Sequence, residues 1–165
     1  MTFQAPNYAI VNETGFSHFV QDNRENSLEE EDMSSRNHSL IQGRVSGFFN
    51  FCLEDFTAPI ELLLDMTTPD RQTLLKTYEV QEVVQNCREL KPDIAIFYAR
   101  DFDFIDPAEG PDAKRVTDVP LTCCEIVSPS QSSWEILNKF RVYFALGVKS
   151  CWMLDPNVKE IWVYT

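Results

Sequence analysis

Three residues of this chain have the types and spacing to do chemistry together. Glu125 sits inside the run Thr122-Cys123-Cys124-Glu125-Ile126-Val127, which reads as an apolar strand and breaks at Ser128-Pro129-Ser130. A carboxylate is strongly disfavoured in apolar surroundings unless it is paired or bound to a cation. Asp93 has a similar place, at the start of the apolar run Ile94-Ala95-Ile96-Phe97 after Lys91-Pro92. Facing each other about 4 Å apart, the two acids would repel by about 4 kcal/mol at an effective dielectric of about 20. A divalent cation or a shared proton relieves such a pair, and oxygen ligands suit Mg²⁺ or Mn²⁺. Lys139 follows on a predicted helix, which gives the parts of a metal-dependent nuclease centre.

Each residue also has a plainer role. Asp93 after Pro92 could simply punctuate a strand or cap a turn. Glu125 could lie on a sheet edge, although Cys124, Ile126 and Val127 argue for an interior strand. Lys139 stands one turn after Glu135, in the favourable order for a surface ion pair contributing about 0.2–0.5 kcal/mol. Set against the helix's apolar stripe, however, it falls at the edge of the buried face, where its stem can lie along the core. His38 projects on an apolar stripe, where a histidine often serves as a satisfied core or helix-end residue.

The elements that must position these groups are a mixed α/β set. A helix is expected from about Ser35 to Leu53, with Ile41, Val45, Phe48, Phe49 and Cys52 on its buried stripe and Gly43 and Gly47 opposite, open to a close neighbour. Strands are expected at Ile60–Met66 (where a helical turn also fits), Tyr78–Val84, Ile94–Tyr98 and Leu121–Val127, with a turn at Pro69-Asp70 and an acidic loop over 100–119. Ser132 and Glu135 form a capping box that opens a helix stopped at Gly147. Two closing strands, Ser150–Leu154 and Glu160–Tyr164, flank a turn at Asp155-Pro156-Asn157. The expected fold is α/β: a mixed central sheet covered by helices.

Composition bounds the rest. The chain has 165 residues, 44% hydrophobic and 24% charged, enough for one compact core. Residues 1–32 are mostly polar and are expected to form an arm, with the folded domain over 33–165. No apolar run approaches the roughly 18 residues that span a bilayer, and Met1 to Asn12 lack the features of a signal peptide. A soluble, cytoplasmic protein with no membrane partner is expected. The cysteines, with no CxxC pair and no zinc-ligand spacing, are expected to be reduced structural thiols; Cys123 and Cys124 should face opposite sides of their strand. The net charge of −12 has the wrong sign for a protein that coats nucleic acid. Much of it lies in Glu29-Glu30-Glu31-Asp32 and Asp101–Asp112, expected to be solvated loops, and with a screening length of about 8 Å remote acids matter little to a local groove. Gly43-Arg44-Val45-Ser46-Gly47 is not a nucleophile elbow, since its serine is one place late and helical.

Asn37-His38-Ser39, Lys91-Pro92-Asp93-Ile94-Ala95, Cys124-Glu125-Ile126-Val127-Ser128-Pro129-Ser130, Lys139-Phe140-x-x-Tyr143 and Gly147-Val148-x-x-x-Trp152-x-x-Asp155-Pro156, taken in order, resemble the Uma-type endonuclease family, long catalogued as a domain of unknown function. The likeness runs over roughly residues 33–165. It implies the restriction-endonuclease-like fold of the PD-(D/E)XK superfamily and a metal-dependent centre acting on DNA. Asp93 matches the first acid and Glu125 the second. The superfamily's lysine, two residues after that acid, is replaced here by Val127, and Lys139 matches a lysine moved to the following helix. His38 matches a histidine of the first helix, placed to touch phosphate or metal, and Ser128 could assist. Asp93, Glu125 and the Ile126 carbonyl would hold Mg²⁺ or Mn²⁺. Relatives of this fold often form homodimers. The competing expectation, favoured by the acidic charge, is a non-catalytic protein-interaction module on the same fold.

Overall fold

A computed structural model describes residues 35–86, 90–103, 114–129 and 131–165. The chain divides into Met1–Glu31 and Asp32–Thr165, and everything described falls in the second unit. The expected N-terminal arm, residues 104–113 of the acidic loop and Cys87 lie outside the described residues.

Helix α1 spans Arg36–Cys52 and β1 is the short strand Phe56–Thr57. Helices α2 (Pro69–Thr77) and α3 (Gln81–Asn86) follow, then β2 (Ile94–Tyr98), β3 (Thr122–Ile126), α4 (Ser133–Ala145), β4 (Ser150–Asp155) and β5 (Glu160–Tyr164). The strands form one mixed sheet in the order β1-β2-β3-β4-β5. Only β3 and β4 run parallel, with α4 as their crossover.

The sheet separates two apolar layers. Ile94, Ile96, Cys124, Ile126 and Leu154 pack with Ile41, Val45 and Phe49 of α1. Cys123, Val127, Cys151 and Met153 pack with Ile136, Phe140 and Tyr143 of α4. Strand alternation therefore sends Cys123 and Cys124 to opposite faces, as expected. It also sends Glu125, two residues from both Cys123 and Val127, toward α4. The thiols of Cys52, Cys123, Cys124 and Cys151 are free, and Cys52 is exposed rather than core-like.

Helix α1 begins where Ser35 accepts a hydrogen bond from the His38 N–H. Its buried row is not the apolar stripe expected. His38, Gln42 and Ser46 are buried, while Phe48 and Cys52 face outward. The cause is what lies underneath. Gln42 donates to the Asp93 carbonyl at 2.9 Å, and Ser46 to the Ala58 carbonyl at 2.6 Å. Asn50, one turn further on, accepts from the Ala58 N–H at 2.7 Å. Buried backbone groups need partners, so a polar row at i, i+4 spacing turns inward. Among the described residues, nothing stands within 4 Å of where a Gly43 Cβ would be, and Gly47 meets the Phe51 ring at 3.9 Å.

Three local expectations are corrected. Pro69-Asp70 opens α2 instead of turning; Pro69 sits in the first turn, where its missing N–H costs nothing. Tyr78–Val84 is not a strand. Glu79 adopts φ 54°, and Val80, Val83 and Val84 have helical spacing that α3 uses against the core. Ile60–Met66 makes only isolated bridges, Ile60 to Ile94 and Leu64 to both Leu90 and Val116. Glu61 at φ 52° breaks its extended run. The later elements form as expected. Both hydrogen bonds of the Ser132–Glu135 capping box are present, and Gly147 closes α4 with φ 100°.

Candidate active site

The β2–β3 register pairs Ile94 with Cys124. Continued by one residue, it sets Asp93 opposite Glu125 at the mouth of the two strands. Cβ atoms of directly opposed residues lie about 4.5–5.5 Å apart, and like charges there repel. The protein meets this repulsion with a separate set of donors for each acid.

Glu125 is served by α4. Lys139 Nζ lies 2.7 Å from Glu125 Oε2, and the Tyr143 hydroxyl donates to Oε1 at 2.5 Å. Lys139 and Tyr143 are one helical turn apart, so one face of α4 presents both. The Glu125 side chain is 1% exposed and that of Lys139 20%. This decides the reading of Lys139: its ammonium reaches the strand acid, while Glu135 accepts from the Ser132 N–H at 3.0 Å within the cap. Burial, together with the Asp93 charge, pushes the Glu125 carboxyl up to about 7, against the opposing pull of Lys139 and Tyr143. Burial also raises the Tyr143 phenol well above its ordinary value.

Asp93 is served by α1 and β3. His38 Nε2 lies 3.3 Å from Asp93 Oδ1. The Ile126 N–H donates to Asp93 Oδ2 at 2.6 Å, and Gln42 holds the Asp93 carbonyl. The hydrogen bond with Asp93 raises the His38 pKa despite burial. His38 Nδ1 is buried and has no hydrogen-bond partner among the described residues.

Four side chains named from sequence thus converge: His38, Asp93, Glu125 and Lys139. Ile126, proposed through its carbonyl, is tied to the cluster by its N–H. Two residues were not foreseen as members of the site. Gln42 could have been found as the polar residue one turn after His38, and Tyr143 as the hydroxyl one turn after Lys139. Ser128 is half-buried just past the strand.

The donor chemistry suits a small hard cation. Two carboxylates offer oxygen, and each carboxylate oxygen keeps a lone pair beyond the one its protein donor uses. Among the described residues, no group of three or more His, Cys, Asp and Glu side chains is arranged to hold a metal ion. Mg²⁺ does not need such a cage; it is commonly held by one or two carboxylates, with water and substrate phosphate completing its shell.

A mixed sheet between helices, with two opposed acids at one strand end and a lysine from the crossover helix, defines a nuclease-like α/β fold. The same fold occurs in a crystal structure described as a putative nuclease belonging to DUF820 from Anabaena variabilis ATCC 29413. The two share 22% identity with a TM-score of 0.58, over 80% of this chain and 64% of that one. The chain therefore spans under two thirds of that neighbour. No curated protein matches it. The Uma2 family profile, described as "Putative restriction endonuclease", matches residues 24–165, and the chain belongs to that family. Among the described residues no helix is long and apolar enough to cross a membrane.

Proposed function

We propose that this chain is a metal-dependent endonuclease that hydrolyses phosphodiester bonds of DNA. The observation that supports it most is the convergence of Asp93, Glu125 and Lys139 from three separate elements. In this reading Asp93, Glu125 and the Ile126 carbonyl hold Mg²⁺ or Mn²⁺. The bound ion supplies charge neutralisation at the scissile phosphate and a more acidic water.

The chain's own groups do the rest. Lys139 holds Glu125 in place and brings its positive charge to the reacting phosphate, where negative charge develops. His38 steadies Asp93 and, when protonated, adds a second positive charge for a phosphate oxygen. Water oxygen bonds to phosphorus as one ester P–O bond breaks. The water's proton passes to solvent, and the departing alkoxide takes one in exchange. Two copies acting on opposite strands would make a double-strand cut, so the proposal includes a homodimer. Light scattering tests that part.

The experiment is Mg²⁺- or Mn²⁺-dependent nicking of supercoiled plasmid by purified protein, with Asp93→Asn and Lys139→Ala alongside. Nicking by wild type that disappears in both variants supports the reading. Cleavage that survives both assigns the activity elsewhere. The net charge of −12 favours a second reading, a non-catalytic interaction module. A folded wild type that binds no Mn²⁺ in calorimetry would support that one.

A further inference from the structure

We infer that Tyr143 is a positioning residue for Glu125: its hydroxyl fixes the plane of the carboxylate and so the direction in which its free lone pairs are offered to a cation. The inference rests on the reading of Glu125 as a metal-holding acid, yet it makes a separate claim about how that acid is aimed.

Tyr143 is fully buried in the layer between the sheet and α4. A tyrosine there needs a partner for its hydroxyl, and it has one, Glu125 Oε1 at 2.5 Å. The terminal torsion of a glutamate is broad and weakly restrained by its own bonding. Left to that torsion, the Glu125 carboxylate could turn about its axis. Two donors remove the freedom. Lys139 takes the other oxygen, from the end of a long and flexible stem. Tyr143 has no such play, because its ring is packed beside Phe140, 6.4 Å between centroids, and within the same cluster as Cys123 and Cys151. The rigid donor therefore sets the angle and the flexible one adapts to it. Such supporting hydrogen bonds typically change metal affinity or activity by about 10- to 100-fold when removed. A tyrosine kept only for apolar filling would lose nothing by becoming phenylalanine.

The test is Tyr143→Phe, which keeps the ring and deletes the hydroxyl. Glutamates are labelled with ¹³C at the carboxyl, and Glu125 is assigned by its loss in Glu125→Gln. The expected result is a shifted or broadened Glu125 carboxyl signal in metal-free Tyr143→Phe. It is accompanied by Mn²⁺ binding about tenfold or more weaker in calorimetry, with an unchanged circular dichroism spectrum. An unmoved signal overturns the inference, as does wild-type Mn²⁺ affinity in the variant. If wild type itself binds no Mn²⁺, the metal reading fails, and the carboxyl signal alone decides the role of Tyr143. If Tyr143→Phe does not fold, protein carrying 3-fluorotyrosine carries the test. The fluorine signal of residue 143 should move on Glu125→Gln, and a stationary signal overturns the proposal.

Discussion

Lys139 Nζ and Glu125 Oε2 stand 2.7 Å apart, across fourteen residues of chain. The acid lies one residue from the end of a buried strand, and the base arrives from the helix that crosses over to the parallel neighbour. Neither a lysine two residues after the acid nor any other position on β3 is needed, because the crossover brings α4 back over the same face. Val127, at the superfamily's usual lysine position, is free to fill the core.

Replacing Lys139 by alanine should cost stability as well as nicking. It leaves Glu125 Oε2 buried without its cation, at about 1–3 kcal/mol. Protonation softens that loss, so it should be small at pH 5 and full at pH 8. Melting temperatures of Lys139→Ala and wild type at the two values check this, and an equal loss at both would contradict it.

The metal-free protein should lose stability as pH rises from about 4.5 to about 7. Glu125 has a folded pKa of about 7 against an ordinary 4.5. The folded state therefore holds a proton that the unfolded chain has already released, and stability falls with pH across that window. His38 works in the same direction. Its pKa is raised, so its contribution is complete below 6.5 and is lost as pH climbs through its folded value. Glu125→Gln should flatten the decline between pH 5 and 7, and saturating Mn²⁺ should flatten it too. Denaturant midpoints against pH are the measurement.

Asp93→Asn should lower the His38 pKa. The Asp93 hydrogen bond is the largest cause of the rise and burial opposes it. With that bond and charge gone, burial still opposes the charged form, so the imidazole should titrate lower than in wild type. Proton NMR of the histidine ring reads this directly, with or without metal.

Ser132→Ala should destabilise the fold by about 1 kcal/mol through loss of the α4 cap. Ser46→Ala should cost a similar amount, by leaving the Ala58 carbonyl short of a donor. Urea unfolding measures both. Neither residue touches the acids, so any nicking activity should survive.

Much of the site was legible because a charge within an apolar strand is a strong signal. Glu125 and Asp93 stood out against their neighbours, and the capping box fixed the phase of α4 so that Lys139 could be placed at the edge of its buried face. Residues 60–84 were misread for lack of such anchors. Short apolar runs there fit a strand or a helix equally well, and the left-handed residues that decide between them, Glu61 and Glu79, are glutamates, which give no warning. The facing of α1 failed for another reason. Hydrophobic periodicity assumes that buried means apolar, whereas this helix covers open carbonyls and turns His38, Gln42 and Ser46 toward them.

The hydrogen bond from the Ile126 N–H to Asp93 Oδ2 has a bearing on how the protein reaches its native state. Were β2 to slide by one residue against β3, this N–H would lose its acceptor, Asp93 would leave His38, and the apolar side chains of β2 would exchange faces. The acid cluster thus works as a proofreading key for strand alignment. A mutation that abolishes chemistry at Asp93 should for that reason also slow refolding and raise the yield of mispaired, aggregation-prone chains.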